Sequence, residues 1–364
     1  MEMGFPLPMD NFKKMSVKIV TVAKQLPKYS RTTAEIIHFL DSWLFGKDER
    51  FIRKVKKIFE GAAVETRYSI MEPSEVFTAT SFAKKNDIYC REVVLLGEQV
   101  LQKALEKANW KPEDLDYIIT VSCTGIMIPS LDAYLINKLK LRQDIVRLPV
   151  TEMGCVAGIS GIIYAKNFLA SNPGKRAAVI AVESPTATFQ LDDFSMANIV
   201  SAAIFGDGAA CVLLSSDESD VGPEILAEEM YHFYDNEHMM GFKLVDSGLQ
   251  MVLDIEVPDT IAAHFPEIIH PFLAKNNLKI EDIEHLIFHP GGKKIVQTVE
   301  DLFTDSGKNI KDTKEVLRLY GNMSSATVLY VLESIMEKKT KKGEKGLMLS
   351  FGPGFTAQRV LLQF

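Results

Sequence analysis

The sequence predicts an α/β protein built from two related halves, and three observations carry that reading. Helical patterns alternate with short apolar runs, a sixteen-residue block recurs at a fixed offset, and the composition is that of a soluble globular chain. Of 364 residues, 47% are hydrophobic and 24% charged, a balance that supports a sizeable core. No run approaches the roughly 18 apolar residues that span a bilayer. The start, Met1-Glu2-Met3-Gly4-Phe5-Pro6, lacks the basic stretch and apolar core of a secretory signal. A net charge of −7 argues against nucleic acid as the main partner. The four cysteines, Cys90, Cys123, Cys155 and Cys211, form no CxxC. Zinc and thioredoxin-like chemistry therefore have no support and no metal site is expected. Free thiols in a reducing compartment are the default, so a cytoplasmic location is expected.

Glu92 to Ala108 reads as a helix, because Val93, Leu96, Val100, Leu101, Ala104, Leu105 and Ala108 recur near helical spacing. Lys111-Pro112-Glu113-Asp114 is a connector, and Tyr117 to Val121 is a short β-rich run. Val156 to Ala170 reads as a second helix. Arg176 to Val182 is a strand apolar enough to be buried on both faces. This alternation points to the α/β class. The duplication is visible at an offset of 168: ALEKANWKPEDLDYII, from Ala104 to Ile119, against FLAKNNLKIEDIEHLI, from Phe272 to Ile287, with seven of sixteen positions identical. Chance would give roughly one match, and self-similarity at a fixed offset marks repeated structure. A weaker echo links Phe205-Gly-Asp-Gly-Ala-Ala-Cys-Val-Leu-Leu214 to Gly352-Pro-Gly-Phe-Thr-Ala-Gln-Arg-Val-Leu-Leu362. The acidic, Gly/Pro-containing stretch Ser215 to Pro223 is the expected join, giving halves of 1–220 and 221–364.

Three residues carry candidate chemistry. Cys155, in Glu152-Met-Gly-Cys-Val-Ala-Gly158, sits just ahead of a helical pattern. The positive end of a helix dipole there lowers a thiol pKa and favours a nucleophile. A buried structural cysteine suits the same position. His289 follows the strand-like Leu286-Ile-Phe288 and precedes Pro290-Gly291-Gly292; it is either a pocket histidine or an ordinary loop residue. Asn322, in Tyr320-Gly-Asn-Met-Ser-Ser-Ala-Thr-Val328, is either a third member of a nucleophile set or a turn and N-cap.

Together with Phe205-Gly-Asp-Gly-Ala-Ala210 and Phe351-Gly-Pro-Gly354, these motifs run in order over residues 15 to 364. The chain resembles a type III polyketide synthase of the chalcone synthase-like superfamily. The wording Ser122-Cys-Thr-Gly and Met127-Ile-Pro-Ser-Leu-Asp132 is similar to that of bacterial members. The resemblance implies the thiolase fold, with two βαβαβαββ halves in a five-layered α-β-α-β-α arrangement. It implies a homodimeric acyltransferase working on free coenzyme A thioesters, with no bound cofactor. Cys155 would carry the acyl group, with His289 stabilising its thiolate as an imidazolium. His289 and Asn322 would then donate hydrogen bonds to the malonyl thioester oxygen, where charge develops on decarboxylation.

The resemblance also implies a pocket. Phe205 matches a gatekeeper between the coenzyme A tunnel and the acyl pocket. Met251 stands where plant enzymes carry a second gatekeeper phenylalanine, and a flexible Met there opens a route for an alkyl chain. Cys123 replaces a threonine that steers ring closure, while Thr124, Glu183, Thr188 and Ser324 match other lining positions. Phe242 falls near a lining glycine. Ile128 matches a residue that reaches the neighbouring subunit's pocket. Lys54 and Lys57, in Arg53-Lys54-Val55-Lys56-Lys57, match coenzyme A-binding positions, and Gly61 occupies a third. The substitution at Met251 and the bacterial wording favour a fatty acyl-CoA starter extended by malonyl-CoA to an alkylpyrone or alkylresorcinol. Phe242 in the pocket favours instead a small tetrahydroxynaphthalene- or phloroglucinol-type product from malonyl-CoA alone. A β-ketoacyl-acyl-carrier-protein synthase III shares the Cys-His-Asn set, but Asn322-Met-Ser-Ser and Ser350-Phe-Gly-Pro-Gly354 are similar to the polyketide branch. A non-catalytic thiolase-fold scaffold is disfavoured because all three catalytic positions are filled.

Overall fold

The structure, a computed structural model, describes residues 16–78 and 80–364. The Met1–Pro6 segment lies outside the described residues. Chain order begins with β1 (Lys18–Gln25) and a ribbon of β2 (Tyr29–Thr32) and β3 (Thr66–Ser69). Between the ribbon strands run α1 (Thr33–Trp43) and α2 (Glu49–Gly61), and the single turn α3 (Pro73–Val76) follows. Next come α4 (Phe82–Ala108), β4 (Tyr117–Val121), α5 (Leu131–Leu139), β5 (Val146–Val150), α6 (Ala157–Ala170), β6 (Arg176–Glu183), α7 (Met196–Ile204) and β7 (Gly208–Ser215). The remainder is β8 (Glu224–His232), the hairpin β9 (Met240–Val245) and β10 (Gly248–Leu253), α8 (Val257–Lys275), β11 (His285–Phe288), α9 (Lys293–Phe303), α10 (Lys311–Tyr320), α11 (Thr327–Met336), β12 (Lys345–Gly352) and β13 (Thr356–Gln363).

The recurring block has a structural counterpart. α4 ends on Asn109 at φ 54°, and Asn277, just past α8, stands at φ 57°. Asn tolerates this left-handed conformation better than other side-chained residues. Each connector then closes in the same way. The Lys111 amide donates to Asp114 Oδ2 at 2.7 Å, and the Lys279 amide to Asp282 Oδ2 at 2.8 Å. β4 and β11 follow as parallel neighbours of β6 and β12. The helix expected from Glu92 starts ten residues earlier, at Phe82, where the Ser81 hydroxyl accepts from the Lys84 amide.

Among the described residues nine strands form one hydrogen-bonded order, β11-β12-β13-β8-β1-β7-β6-β4-β5. The two halves meet at its middle through a single β1–β8 pair, Lys18 opposite Glu224. The first half follows the expected βαβαβαββ order. The second departs from it: no counterpart of β5 forms among the described residues. Beyond α10 the chain instead reaches into the first half, where Asn322 makes an isolated bridge to Phe205.

Five layers result. α6 and α11 lie between the two sheet portions, and their apolar residues (Ile159, Ile162, Val328 and Val331 among them) share one core with Val121, Val179, Val212 and Met348. α4 and α5 cover the outer face of the first portion through Val93, Val100, Leu101 and Leu135. α8 and α9 cover the second through Ile261, Ile268, Phe272 and Val299. The central strands β6 and β7 are buried on both faces, as sheets covered by helices on each side require. Among the described residues no helix is long and apolar enough to cross a membrane.

Candidate functional site

Cys155 lies in a one-turn 3-10 helix, Gly154–Val156, that leads into α6. His289 directly follows β11, its amide bonded to the Leu349 carbonyl at 2.9 Å. Asn322 lies between α10 and a second one-turn helix, Ser324–Ala326. These three segments come from both halves, and they converge on one chamber of about 700 Å³, part of it open to solvent. Cys123, Thr124, Phe205, Phe242, Met251 and Ser324 also line it.

Close backbone approach builds this chamber. A Cβ at Gly158 would stand 2.3 Å from the Ser325 carbonyl oxygen, and one at Gly154 would meet Pro353 at 2.6 Å. Ser350 Oγ donates to the Cys155 carbonyl at 2.8 Å. The Asn322 side chain is held by both its atoms: Nδ2 donates to Gly291 O at 3.2 Å, and Oδ1 accepts from the Ser324 amide at 2.8 Å. Ser324 itself stands at φ 47°, a costly conformation for a residue with a side chain. That turn sets its hydroxyl between two sulfurs, 3.7 Å from Cys155 Sγ and 3.5 Å from Cys123 Sγ.

The electrostatics differ from the sequence expectation. Helix position predicts a lowered thiol pKa, and the family resemblance implies a thiolate–imidazolium pair. Cys155 instead has its pKa pushed up to about 12, first by burial, with the Ser324 and Asn322 side chains pulling in the opposite direction. Burial pushes His289 down to about 3, and neither ring nitrogen has a hydrogen-bond partner among the described residues. The one-turn helix places Cys155 at the mouth of α6, yet desolvation is the largest cause of its shift. Both shifts favour the neutral forms, a thiol bonded to Ser324 and an imidazole whose two nitrogens have no partner among the described residues.

Not every predicted pocket residue lines the chamber. Glu183 lies behind it, fully buried, and its carboxyl accepts from the Cys123 amide at 3.0 Å, Thr124 Oγ1 at 2.9 Å and Ser325 Oγ at 2.5 Å. A buried carboxyl needs such partners, and turning toward them takes it out of the lining. It anchors Cys123 and Thr124 from the first half to Ser325 of the second. Thr188 lines a second cavity instead. Ile128 is exposed and is absent from the chamber wall of its own chain. Lys54 and Lys57 lie on the exposed face of α2 and line neither cavity. The sequence reading missed Pro185, Met240, Leu253 and Pro353, which do line the chamber. Pro353 alone carried a signal, inside Gly352-Pro-Gly354.

The second cavity, about 740 Å³ with part open to solvent, lies among the β2–β3 ribbon, α1, α3 and α7. Pro185, Phe205 and Met251 line both cavities and so form the wall between them. Met251 faces Phe242 directly across the β9–β10 hairpin.

A neutral nucleophile beside an open imidazole and an anchored amide, in a largely enclosed apolar chamber, defines a site for thioester chemistry. Comparison with known proteins agrees. Residues 17–218 match the family model for the N-terminal domain of chalcone and stilbene synthases, and residues 227–364 match that for the C-terminal domain. The chain belongs to this family, the type III polyketide synthases, which use coenzyme A thioesters as substrates. A 1,3,6,8-tetrahydroxynaphthalene synthase of Streptomyces peucetius subsp. caesius is 33% identical over 324 residues, covering 88% of this chain and 85% of that one. A phloroglucinol synthase of Pseudomonas fluorescens is 28% identical over 332 residues, covering 91% and 95%. The solved structure of 1,3,6,8-tetrahydroxynaphthalene synthase from Streptomyces coelicolor A3(2), a bacterial type III polyketide synthase, superposes with a TM-score of 0.89 at 26% identity, covering 95% of this chain and 99% of that one.

The neutral state of the site has a measurable consequence. Below a thiol pKa of about 12 the thiolate fraction grows tenfold per pH unit. Alkylation of Cys155 by iodoacetamide in the free protein is expected to rise about tenfold per unit from pH 6 to pH 9, without a plateau. A rate that is flat above pH 6 would instead reveal a preformed ion pair with His289.

Proposed function

We propose that this enzyme extends a fatty acyl-CoA starter with malonyl-CoA by repeated decarboxylative Claisen condensation and closes the chain to an alkylpyrone or alkylresorcinol. Cys155 Sγ attacks the starter thioester, its proton passes to His289, and coenzyme A leaves carrying that proton. Among the described residues the open imidazole is the only unpartnered base lining the chamber, which supports this assignment. Malonyl-CoA then binds with its thioester oxygen toward His289 and Asn322. Carbon dioxide leaves, and the two N–H donors hold the enolate oxygen. The enolate carbon attacks the Cys155 thioester and expels the cysteine thiolate. That thiolate then displaces coenzyme A from the lengthened chain's own thioester, and coenzyme A leaves as a thiolate that takes its proton from solvent, so the chain is back on Cys155 for the next round. Donors aimed at developing charge in a water-poor chamber stabilise the transition state more than the substrate. Each is typically worth about a hundred- to a thousandfold in rate. His289→Ala and Asn322→Ala are each expected to lower malonyl-CoA decarboxylation by that order, read as carbon dioxide release. Near-normal release in both variants would remove them from this role.

The second cavity is the observation that carries the starter assignment. Ile36, Val76, Phe77 and Phe189 give it an apolar wall, and Met251 stands at its boundary with the Cys155 chamber. A flexible thioether at such a boundary yields more readily than a rigid ring. Each methylene buried contributes about 0.8 kcal/mol, so kcat/KM should rise several-fold per added methylene until the cavity is filled. Met251→Trp should shorten the accepted starter while malonyl-CoA decarboxylation persists. A second reading, a small aromatic from malonyl-CoA alone, is favoured by the Phe242 ring in the chamber and by the names of the two relatives. Mass analysis of products from malonyl-CoA with and without acyl-CoAs of graded length separates the two. A small aromatic formed without starter, and no gain from long chains, would defeat the fatty acyl assignment.

A homodimer is supported by an exposed apolar strip on adjoining elements: Leu95 on α4, Ile126 and Ile128, Tyr134 on α5 and Val146 on the edge strand β5. Exposed apolar patches of this kind mark interaction surfaces. Sedimentation should give about twice the chain mass of 40.7 kDa, with activity falling on dilution. A fully active monomer would contradict it.

A further inference from the structure

The apolar second cavity contains a cation that the protein does not neutralise. Arg67, on β3, is 5% exposed and lines that cavity. Its Nη1 donates to Ala202 O at 3.3 Å and its Nη2 to Thr33 Oγ1 at 2.8 Å, both neutral acceptors. Nε has no acceptor, and no carboxylate lies within ion-pair distance among the described residues. Arg31, at the same cavity, is by contrast engaged with Glu72 at 3.5 Å. Arginines this buried are almost always paired, because an uncompensated charge is costly away from water. Burial alone pushes the Arg67 pKa down, to about 10, which still leaves it charged at neutral pH.

A second donor in the same wall is also unspent. Ser201 on α7 is buried, and its hydroxyl has no hydrogen-bond partner among the described residues. The other buried polar side chains there are occupied: Ser69 Oγ donates to Thr186 Oγ1, Thr188 Oγ1 donates to Pro185 O, and Asn198 Nδ2 bonds Gln190 O and Asp193 O. Among the buried polar side chains of this wall, the Arg67 guanidinium and the Ser201 hydroxyl are thus the ones left with unspent hydrogen-bonding capacity among the described residues.

We propose that the second cavity is a binding site for the carboxylate of an alkyl chain, held by Arg67 and Ser201. A single guanidinium matches the charge and planar fork of one carboxylate. A phosphate would carry a second charge, and the cavity's other guanidinium, Arg31, is already engaged with Glu72. Ile36, Val76, Phe77 and Phe189 suit the alkyl stem. The carboxylate arrives by one of two routes: on a free fatty acid, or at the far end of an acyl-CoA starter whose chain passes Met251. The second route rests on the fatty acyl reading above; the first does not.

The test compares decanoate with decanol by calorimetry. Decanoate is expected to bind the unaltered protein about tenfold or more tightly than decanol, the scale of a charge-assisted hydrogen bond. Arg67→Met should abolish that difference, and Ser201→Ala should reduce it several-fold. Arg67→Lys keeps the charge and should retain part of the preference, which separates charge recognition from a folding defect. Trp43 packs against the lining residues Phe77 and Phe189, with ring centroids 6.0 and 5.1 Å away, so its fluorescence should respond to decanoate. Equal affinity of the unaltered protein for decanoate and decanol overturns the proposal, whatever the variants do. A carboxylate preference that survives in Arg67→Met overturns it as well.

Decanoyl-CoA and its ω-carboxy counterpart then separate the routes. A higher kcat/KM for the ω-carboxy thioester, lost in Arg67→Met, supports the tethered carboxylate. Competition by decanoate with no gain from the ω-carboxy group supports the free acid. Arg67-dependent decanoate binding without extension of decanoyl-CoA would leave this site standing and defeat the starter assignment. Extension of decanoyl-CoA with decanoate and decanol bound alike would do the reverse.

Discussion

The site depends on how closely two backbones approach at the start of α6. Gly158 leaves no Cβ, and so the Ser325 carbonyl of the second half packs against the first turn of the helix. Gly352 does the same on the other side, where a Cβ would stand 2.9 Å from the Val156 amide. Any larger residue at these positions would push the segments apart. Cys155 would then move away from Ser324 and Asn322, because all three ride on the segments that touch here. The buried Glu183 carboxyl fastens the same junction, bonding to Cys123 and Thr124 on one side and Ser325 on the other. A one-turn 3-10 helix, a strained Ser324 and a doubly held Asn322 side chain are local solutions to this crowding.

Enclosure governs the chemistry as much as geometry does. Cys155, Cys123, Glu183 and His289 are all shifted toward their neutral forms, and desolvation is the leading cause each time. The resting site thereby avoids a charge it would have to stabilise without water. An anion that forms during reaction finds fixed N–H donors rather than solvent, and those donors need no reorganisation. This offers a physical reason for amide and imidazole groups in the chamber wall, with the buried Glu183 carboxyl turned away behind it.

Much of the architecture was legible in the sequence, but for uneven reasons. The duplicated Asn109 and Asn277 were visible because a left-handed turn restricts residue type, and the Lys-x-x-Asp connectors because a side chain caps a backbone amide there. β4 has the bounds that its apolar run indicated, and β6 extends its run by one residue. The first ten residues of α4 were missed because Lys84, Asn86 and Asp87 interrupt the apolar period, and only the Ser81 cap marks the start. The strand absent from the second half left no trace, since its place is taken by a tertiary contact between Asn322 and Phe205. The direction of a side chain is the other limit. Spacing brings Glu183 to the right strand end, but its hydrogen bonds decide that it faces away. Arg67 gave no warning at all, because a charged residue in a short strand reads as a solvent-facing one.

The sharing of α6 and α11 by both sheet portions has a consequence for how the chain comes apart. Each half owns an outer helical layer, yet neither owns a complete interior: Ile159 and Val331 pack in a common cluster with strands of both origins. A fragment ending near the junction at residues 218–227 would leave one face of its sheet bare to water. The repeat is therefore not a unit of stability, and denaturant should melt the two halves together in a single cooperative step.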